Sequence, residues 1–406
     1  MHHLSLASQR GRPYVFVGRE AEIGRIHHAL NEVPPHGRWR GLLVVEGAPG
    51  AGKSALLEHM CDLFADDPDT LAIYCGCVPQ KEDVGALYGD LATHLTEYKP
   101  EDARRRTVTE LDGGVNVAAV RGGMRRGSEL NPAPPPASTR NITALSGFAE
   151  RLDSGRRAVV FVDEAQELEP GSPAATMFKD LRSQVDVPVL TVCGGVSDVG
   201  DALEDAGMTR PGEFLRMSPL TSDEAEEAVR RTLEGCVEWG LMGWESAERW
   251  SRALAKASDG WPSHLHRGIA GALAVLAEQA VPDLRTASLD EALRRGKMAR
   301  QDYYASGIRR TKMPGTVSAH VHRAIEKHGP LRRQQALSMV GEAVDTLNDA
   351  RAIEDIRGNV GDDGRCLRAL IHAGVLAHKG AERLVSPIPS FSNYLFSRER
   401  ERDGVG

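Results

Sequence analysis

No run of 18 apolar residues occurs in the 406-residue chain, so no membrane span is expected. Aromatic residues make up only 5%, which leaves the core to Leu, Val, Ile and Ala. There is no excess of basic charge. Fifty Lys and Arg stand against 57 Asp and Glu, a formal charge of -7, and this excludes a wholly basic coat for nucleic acid while leaving room for a local patch. Cysteine is sparse and scattered: of Cys61, Cys75, Cys77, Cys193, Cys236 and Cys366, only Cys75 and Cys77 are close. Two ligands without a second Cys/His pair do not make a zinc site, so the thiols are expected as small buried residues in a reducing, cytoplasmic setting. Met1 to Pro13 is polar with no apolar stretch, and no secretory signal is expected there. No internal repeat is visible.

What the chain does have is a rhythm of short apolar runs bounded by turn residues. They fall at 41–46, 71–77, 158–163 and 187–193, with a weaker one at 214–217. Helical patterns such as 53–64 and 143–152 lie between them. Strands apolar on both faces, alternating with helices, predict an α/β domain with a parallel sheet. Residues 107–140, rich in Gly and holding the run Pro132-Ala-Pro-Pro-Pro-Ala137, break the rhythm and read as an insertion with a hairpin at 114–121. After about residue 220 the pattern turns helical, starting from the capping box Thr221-Ser-Asp-Glu224. Gly307 to Gly315 reads as a linker.

Gly47-Ala48-Pro49-Gly50-Ala51-Gly52-Lys53-Ser54 fits G-x-x-x-x-G-K-[ST], with an apolar strand before it and a helix from Ala55 after it. Each position has a physical reason. The glycines let the backbone curl so that successive N–H groups face phosphate oxygens. Lys53 supplies a point charge to the outer phosphates, Ser54 a hydroxyl for Mg²⁺, and the helix its positive end. The second half of the site is Ala158-Val-Val-Phe-Val-Asp163-Glu164. Asp163, at the end of an apolar strand, is placed to hold Mg²⁺ through its water shell, and Glu164 to polarise an attacking water.

With these residues in place, the chain resembles P-loop ATPases of the AAA+ and STAND grouping over about residues 14–275. The resemblance implies ATP and Mg²⁺ as ligands, ATP hydrolysis, and a sheet in which one strand separates the P-loop strand from the Asp-Glu strand. Val17-Gly18-Arg19-Glu20, followed by Glu22, is similar to the family segment beside the adenine. Asp259-Gly-Trp-Pro262 is similar to the family's Gly-x-Pro motif, in which the proline packs on the base; His264, His266 and Arg267 follow it as further candidates. Ser197 stands where a γ-phosphate sensor is often found, although the usual Asn is missing. Arg210, just before the fifth strand, resembles an arginine finger that completes a neighbouring subunit's site, which implies a homo-oligomer. The expected organisation is an ATPase core at 14–220, a helical lid at 221–306 and a winged-helix-like domain at 316–396.

Two surfaces are candidates for a partner. Residues 294–312 carry Arg294, Arg295, Lys297, Arg300, Arg309, Arg310 and Lys312 with Tyr303 and Tyr304 inside the run, a pattern that suits phosphates and stacked bases, or a basic helix face joining two domains. In the last domain, Arg365, Arg368, Lys379 and Arg383 are placed to meet phosphates, and Arg121, Arg125 and Arg126 add charge to the insertion. The first expectation is an oligomeric, DNA-associated ATP switch or motor of initiator or mobile-element type. The alternative is a STAND-like signalling or phage-defence ATPase whose last domain docks a protein.

Overall fold

A computed structural model describes residues 15–33, 40–65, 67, 70–76, 108–109, 157–168, 189–197, 199–205, 207, 213–238, 242–278, 288–347, 349–379 and 383–402. The helix expected at 143–152, the hairpin at 114–121 with its arginines, Cys77 and Arg210 lie outside the described residues.

The apolar runs become strands β1 (Arg40–Glu46), β2 (Thr70–Gly76), β4 (Arg157–Asp163), β5 (Val189–Gly195) and β6 (Glu213–Arg216), and Val108–Thr109 adds a short β3. All pair in parallel in the order β3-β2-β4-β5-β1-β6. Strand β5 therefore lies between the P-loop strand β1 and the Asp-Glu strand β4, as the resemblance implies. Every residue of β5 is buried, which is why these strands read as continuous apolar runs. Helix α1 (Glu20–Asn31) precedes the sheet, α2 (Lys53–Ala65) leaves the P-loop, and α3 (Val199–Asp205) follows β5.

Four helices come next: α4 (Ser222–Glu238), α5 (Trp244–Ser258), α6 (Pro262–Ala277) and α7 (Leu289–Thr311). They share a core of their own built on Val229, Leu233, Trp250, Leu254, Leu265 and Ala292, against which Val17 and Leu220 pack. The capping box forms as expected: Thr221 N–H and Oγ1 donate to Glu224 Oε2 at 2.6 and 2.8 Å, and Glu224 N–H donates back to Thr221 Oγ1 at 3.3 Å.

The last stretch holds α8 (Gly315–His328), β7 (Leu331–Arg332), α9 (Arg333–Asp345), α10 (Ala350–Asn359), α11 (Asp363–His372), β8 (Ala377–Lys379), β9 (Arg383–Val385) and α12 (Phe391–Arg402). The three strands pair antiparallel in the order β7-β9-β8. One apolar core runs from the large sheet through Trp261 and Tyr304 into Val317, Leu370 and Phe391 of this unit.

Two expectations are corrected here. The linker at 307–315 does not exist as such: α7 continues to Thr311, and only residues 312–314 separate it from α8. Glycine in a helix costs about 1 kcal/mol relative to Ala, and packing on both sides of Gly307 outweighs it, since Tyr304 and Thr311 are buried. The helix stops where Lys312 turns left-handed (φ 56°), and Thr311 Oγ1 accepts the Met313 N–H at 3.2 Å. Nor do the tyrosines of the basic run offer faces to bases. Tyr304 is 4% exposed, its hydroxyl lying between His264 Nε2 and the Pro389 carbonyl, both at 3.0 Å. Arg294 and Arg295 are engaged by Glu291, Arg295 also by Glu278, and Arg300 donates to the Ala257 carbonyl at 2.6 Å. Cys61, Cys193, Cys236 and Cys366 are buried, as expected of small core residues. No helix among the described residues is long and apolar enough to cross a membrane.

Candidate active site

The P-loop hangs between two strand ends. Gly47 N–H donates to the Gly195 carbonyl at 3.1 Å, at the tip of β5. Ala51 N–H closes onto the Ala48 carbonyl at 3.1 Å. Gly50 and Gly52 adopt φ +80° and +95°, which only glycine takes without strain, and this gives the curl its shape. Lys53, Ser54 and Ala55 open α2 behind it.

Lys53 is 5% exposed, and its Nζ donates to the Gly47 carbonyl at 2.8 Å and the Ala48 carbonyl at 3.4 Å. Burial pushes its ammonium below the ordinary lysine range, while the charges of Glu164 and Asp163 pull the other way. Asp163, at the end of β4, is buried. Its Oδ2 accepts the Tyr74 hydroxyl at 2.9 Å, and its Oδ1 accepts the Glu164 N–H at 3.0 Å. Glu164 sits in the left-handed region (φ 53°, ψ 39°) and is exposed, so the strand ends by turning this carboxylate outward. A 3-10 turn (Ala165–Glu167) follows.

The segment 17–19 packs against this site from the side. Arg19, left-handed at φ 74° and buried, donates from Nη2 to the Ala51 carbonyl of the P-loop at 3.0 Å and from Nη1 to Glu22 at 3.3 Å. Burial lowers its pKa. Gly18 (φ +76°) lies against Glu224, where a Cβ would meet Oε1 at 2.7 Å. Thus Arg19 reaches the P-loop backbone, and Glu224 of α4 reaches the turn that places it. Pro262 opens α6 directly over the loop: a Cβ on Gly52 would lie 3.7 Å from Pro262 Cγ. The next residue, Ser263, donates its N–H to the Gly50 carbonyl at 3.1 Å. The expected residues of segment 17–19, the P-loop, Asp163-Glu164 and Pro262 therefore converge at the C-terminal ends of the central strands. Ser197 stands two residues past the tip of β5. His264 is a core residue: burial holds its pKa down to about 4, with Nδ1 against the Ser258 carbonyl at 3.1 Å. Arg267 lies over the Tyr303 ring at 4.9 Å.

Sequence reasoning missed several neighbours. Tyr303 of α7 donates its hydroxyl to the Pro49 carbonyl, inside the P-loop. The end of α11 touches both halves of the site. His372 Nε2 lies 3.4 Å from Glu167 Oε1 and holds that carboxyl below its usual range. Gly374 (φ +71°) is packed on Pro49, whose Cγ would be 2.5 Å from a Cβ there. The only signal in the sequence was the glycine closing a helix. Gly374→Ala is expected to cost roughly 1–3 kcal/mol through left-handed strain and overlap with Pro49, read as a lower Tm. An unchanged Tm would show that this seat is soft.

A parallel sheet with this loop, buried lysine and strand-end carboxylates defines a P-loop NTPase fold. Residues 15–192 match the family model described as AAA ATPase domain. Among solved structures, the ADPNP-ADP complexes of the Aeropyrum pernix ORC2 protein are similar with a TM-score of 0.50 at 13% identity, covering 97% of this chain and 96% of that one. Cdc6p from Pyrobaculum aerophilum gives a TM-score of 0.46 at 13% identity, covering 96% of each chain. The RuvB Holliday junction branch migration motor of Thermotoga maritima gives 0.42 at 15%, covering 96% of each. No curated protein matches the sequence.

Proposed function

We propose that this chain binds and hydrolyses ATP and works as an oligomeric, DNA-associated switch. The observation that carries the reading is the convergence of the Lys53 loop with the Asp163-Glu164 strand end, one buried cation facing two carboxylates across the tip of β5. Lys53 and the loop amides hold the triphosphate. Val17, Gly18, Arg19 and Pro262 border the base. Glu164 orients and polarises the attacking water, and Arg210 reaches the site of a neighbouring copy as a guanidinium that spreads charge over phosphate oxygens.

Ser54 and Asp163 suit Mg²⁺. It keeps several waters and takes few protein ligands, and here one hydroxyl and one buried carboxylate flank the loop. When bound, the ion neutralises charge between the outer phosphates. Asp163 is held for this by two donors, the Tyr74 hydroxyl and the Glu164 N–H, which fix its plane.

We read the C-terminal unit as winged-helix-like, with β8 and β9 as the wing. Arg365, Arg368, Lys379 and Arg383 are all exposed on it, which favours phosphate contacts. The same unit rests on the P-loop through Gly374, so a change at the nucleotide is felt where the partner binds. The test is ATP turnover with and without duplex DNA at two salt concentrations. Stimulation by DNA that fades at high salt is expected, because phosphate contacts release counterions. A second reading, a signalling switch that docks a protein, is favoured by that same Gly374 seat. Its signature is indifference to DNA together with nucleotide retained through purification.

A further inference from the structure

Resting on the ATPase reading above, we infer that Gln166 is a positioning residue that fixes the Glu164 carboxylate to the tip of β5. Glu164 has left the strand, lies exposed, and has three rotatable bonds, so the strand itself does not aim its side chain. Gln166 supplies the missing restraint. Its Nε2 donates to Glu164 Oε2. Its Oε1 accepts the N–H of Val196, the first residue after β5, at 3.2 Å. The amide is thus used at both ends, and its orientation is determined by what it joins: a carboxylate takes the NH₂ and a backbone N–H takes the oxygen.

The slot for this amide is built into the backbone. Gly195 has no side chain, and a Cβ there would stand 2.8 Å from Gln166 Oε1 and 2.6 Å from Val199. The short turn that carries Gln166 is closed by Glu167 N–H on the Glu164 carbonyl at 2.9 Å and Leu168 N–H on the Ala165 carbonyl at 3.2 Å. Gly195 is also the residue whose carbonyl holds Gly47 of the P-loop at 3.1 Å. Adjacent residues at one strand tip therefore anchor the phosphate loop and, through Gln166, the group that polarises water. That shared anchor sets the distance between the two, and in-line attack is sensitive to it.

The experiment compares steady-state ATP turnover, KM for ATP, nucleotide affinity and Tm in the parent, Gln166→Ala and Gln166→Glu. Loss of the restraint in Gln166→Ala lowers kcat roughly tenfold or more with KM and Tm near parental. Gln166→Glu is the sharper arm. It has the same shape and still accepts from Val196, but it puts a carboxylate against Glu164, so kcat falls below that of Gln166→Ala. A purely structural role predicts the reverse order, with the isosteric Glu milder than Ala. That order, or a parental kcat in Gln166→Ala, overturns the inference alone. A parent with no turnover overturns the ATPase reading and this inference with it.

Discussion

Replacing Glu164 by Gln is expected to lower ATP turnover by roughly 10²–10³-fold while nucleotide binding survives. The substitution is close to isosteric. The left-handed backbone at φ 53° strains Gln as it does Glu, so this cost cancels between the two proteins. The backbone N–H to Asp163 Oδ1 at 3.0 Å does not depend on the side chain, so the metal-side carboxylate stays where it is. What is lost is the negative charge and the capacity to draw a proton from water. Phosphate release under steady state measures the turnover, and a fluorescent nucleotide measures the affinity. Parental turnover in the Gln variant would move the water-polarising role to another group.

Lys53→Ala is expected to act on the other side of the cycle, weakening ATP affinity by roughly two orders of magnitude or more. The side chain is buried with its ammonium on two carbonyls of the loop, and burial already works against its charge. Removing it therefore relieves a desolvation cost and leaves the fold close to its parental stability. The readout is the rise in Tm on adding ATP and Mg²⁺, which follows RT ln(1 + [L]/Kd). In the parent the rise is present; in the variant it vanishes at the same ligand concentration. A retained rise would place the phosphates elsewhere.

The sheet was legible because its central strands are buried on both faces, which leaves short unbroken apolar runs that stand out between turn residues. The P-loop was legible because glycines at positive φ have few substitutes. The course of α7 was not. Gly307 and the basic residues around it look like solvent-exposed linker in a one-dimensional reading, whereas Gly307 lies with Tyr304 and Thr311 on the buried face of the helix, opposite the basic side chains. Tyr303 and Tyr304 misled for the same reason: an aromatic beside arginines suits a base or a core equally, and only the placement of His264 and Pro49 decides. Gln166, Glu224 and Gly374 were invisible as site residues, since each acts through a partner distant in sequence or through a turn whose shape the sequence does not display. Arg210 stays a matter of motif, because it lies outside the described residues.

The unbroken course of α7 has a mechanical consequence. At 1.5 Å per residue its 23 residues make a rod about 34 Å long. Tyr303, about two thirds of the way along it, grips the phosphate loop, and after residues 312–314 the next helix begins. A stiff bar pinned this way has no slack: Leu289 lies about 21 Å from the pin, so a tilt of about 10° there displaces that end by about 4 Å. A shift of Pro49 is therefore passed along one rigid element to α6, which packs against it, and to α8, which follows it, with no hinge between.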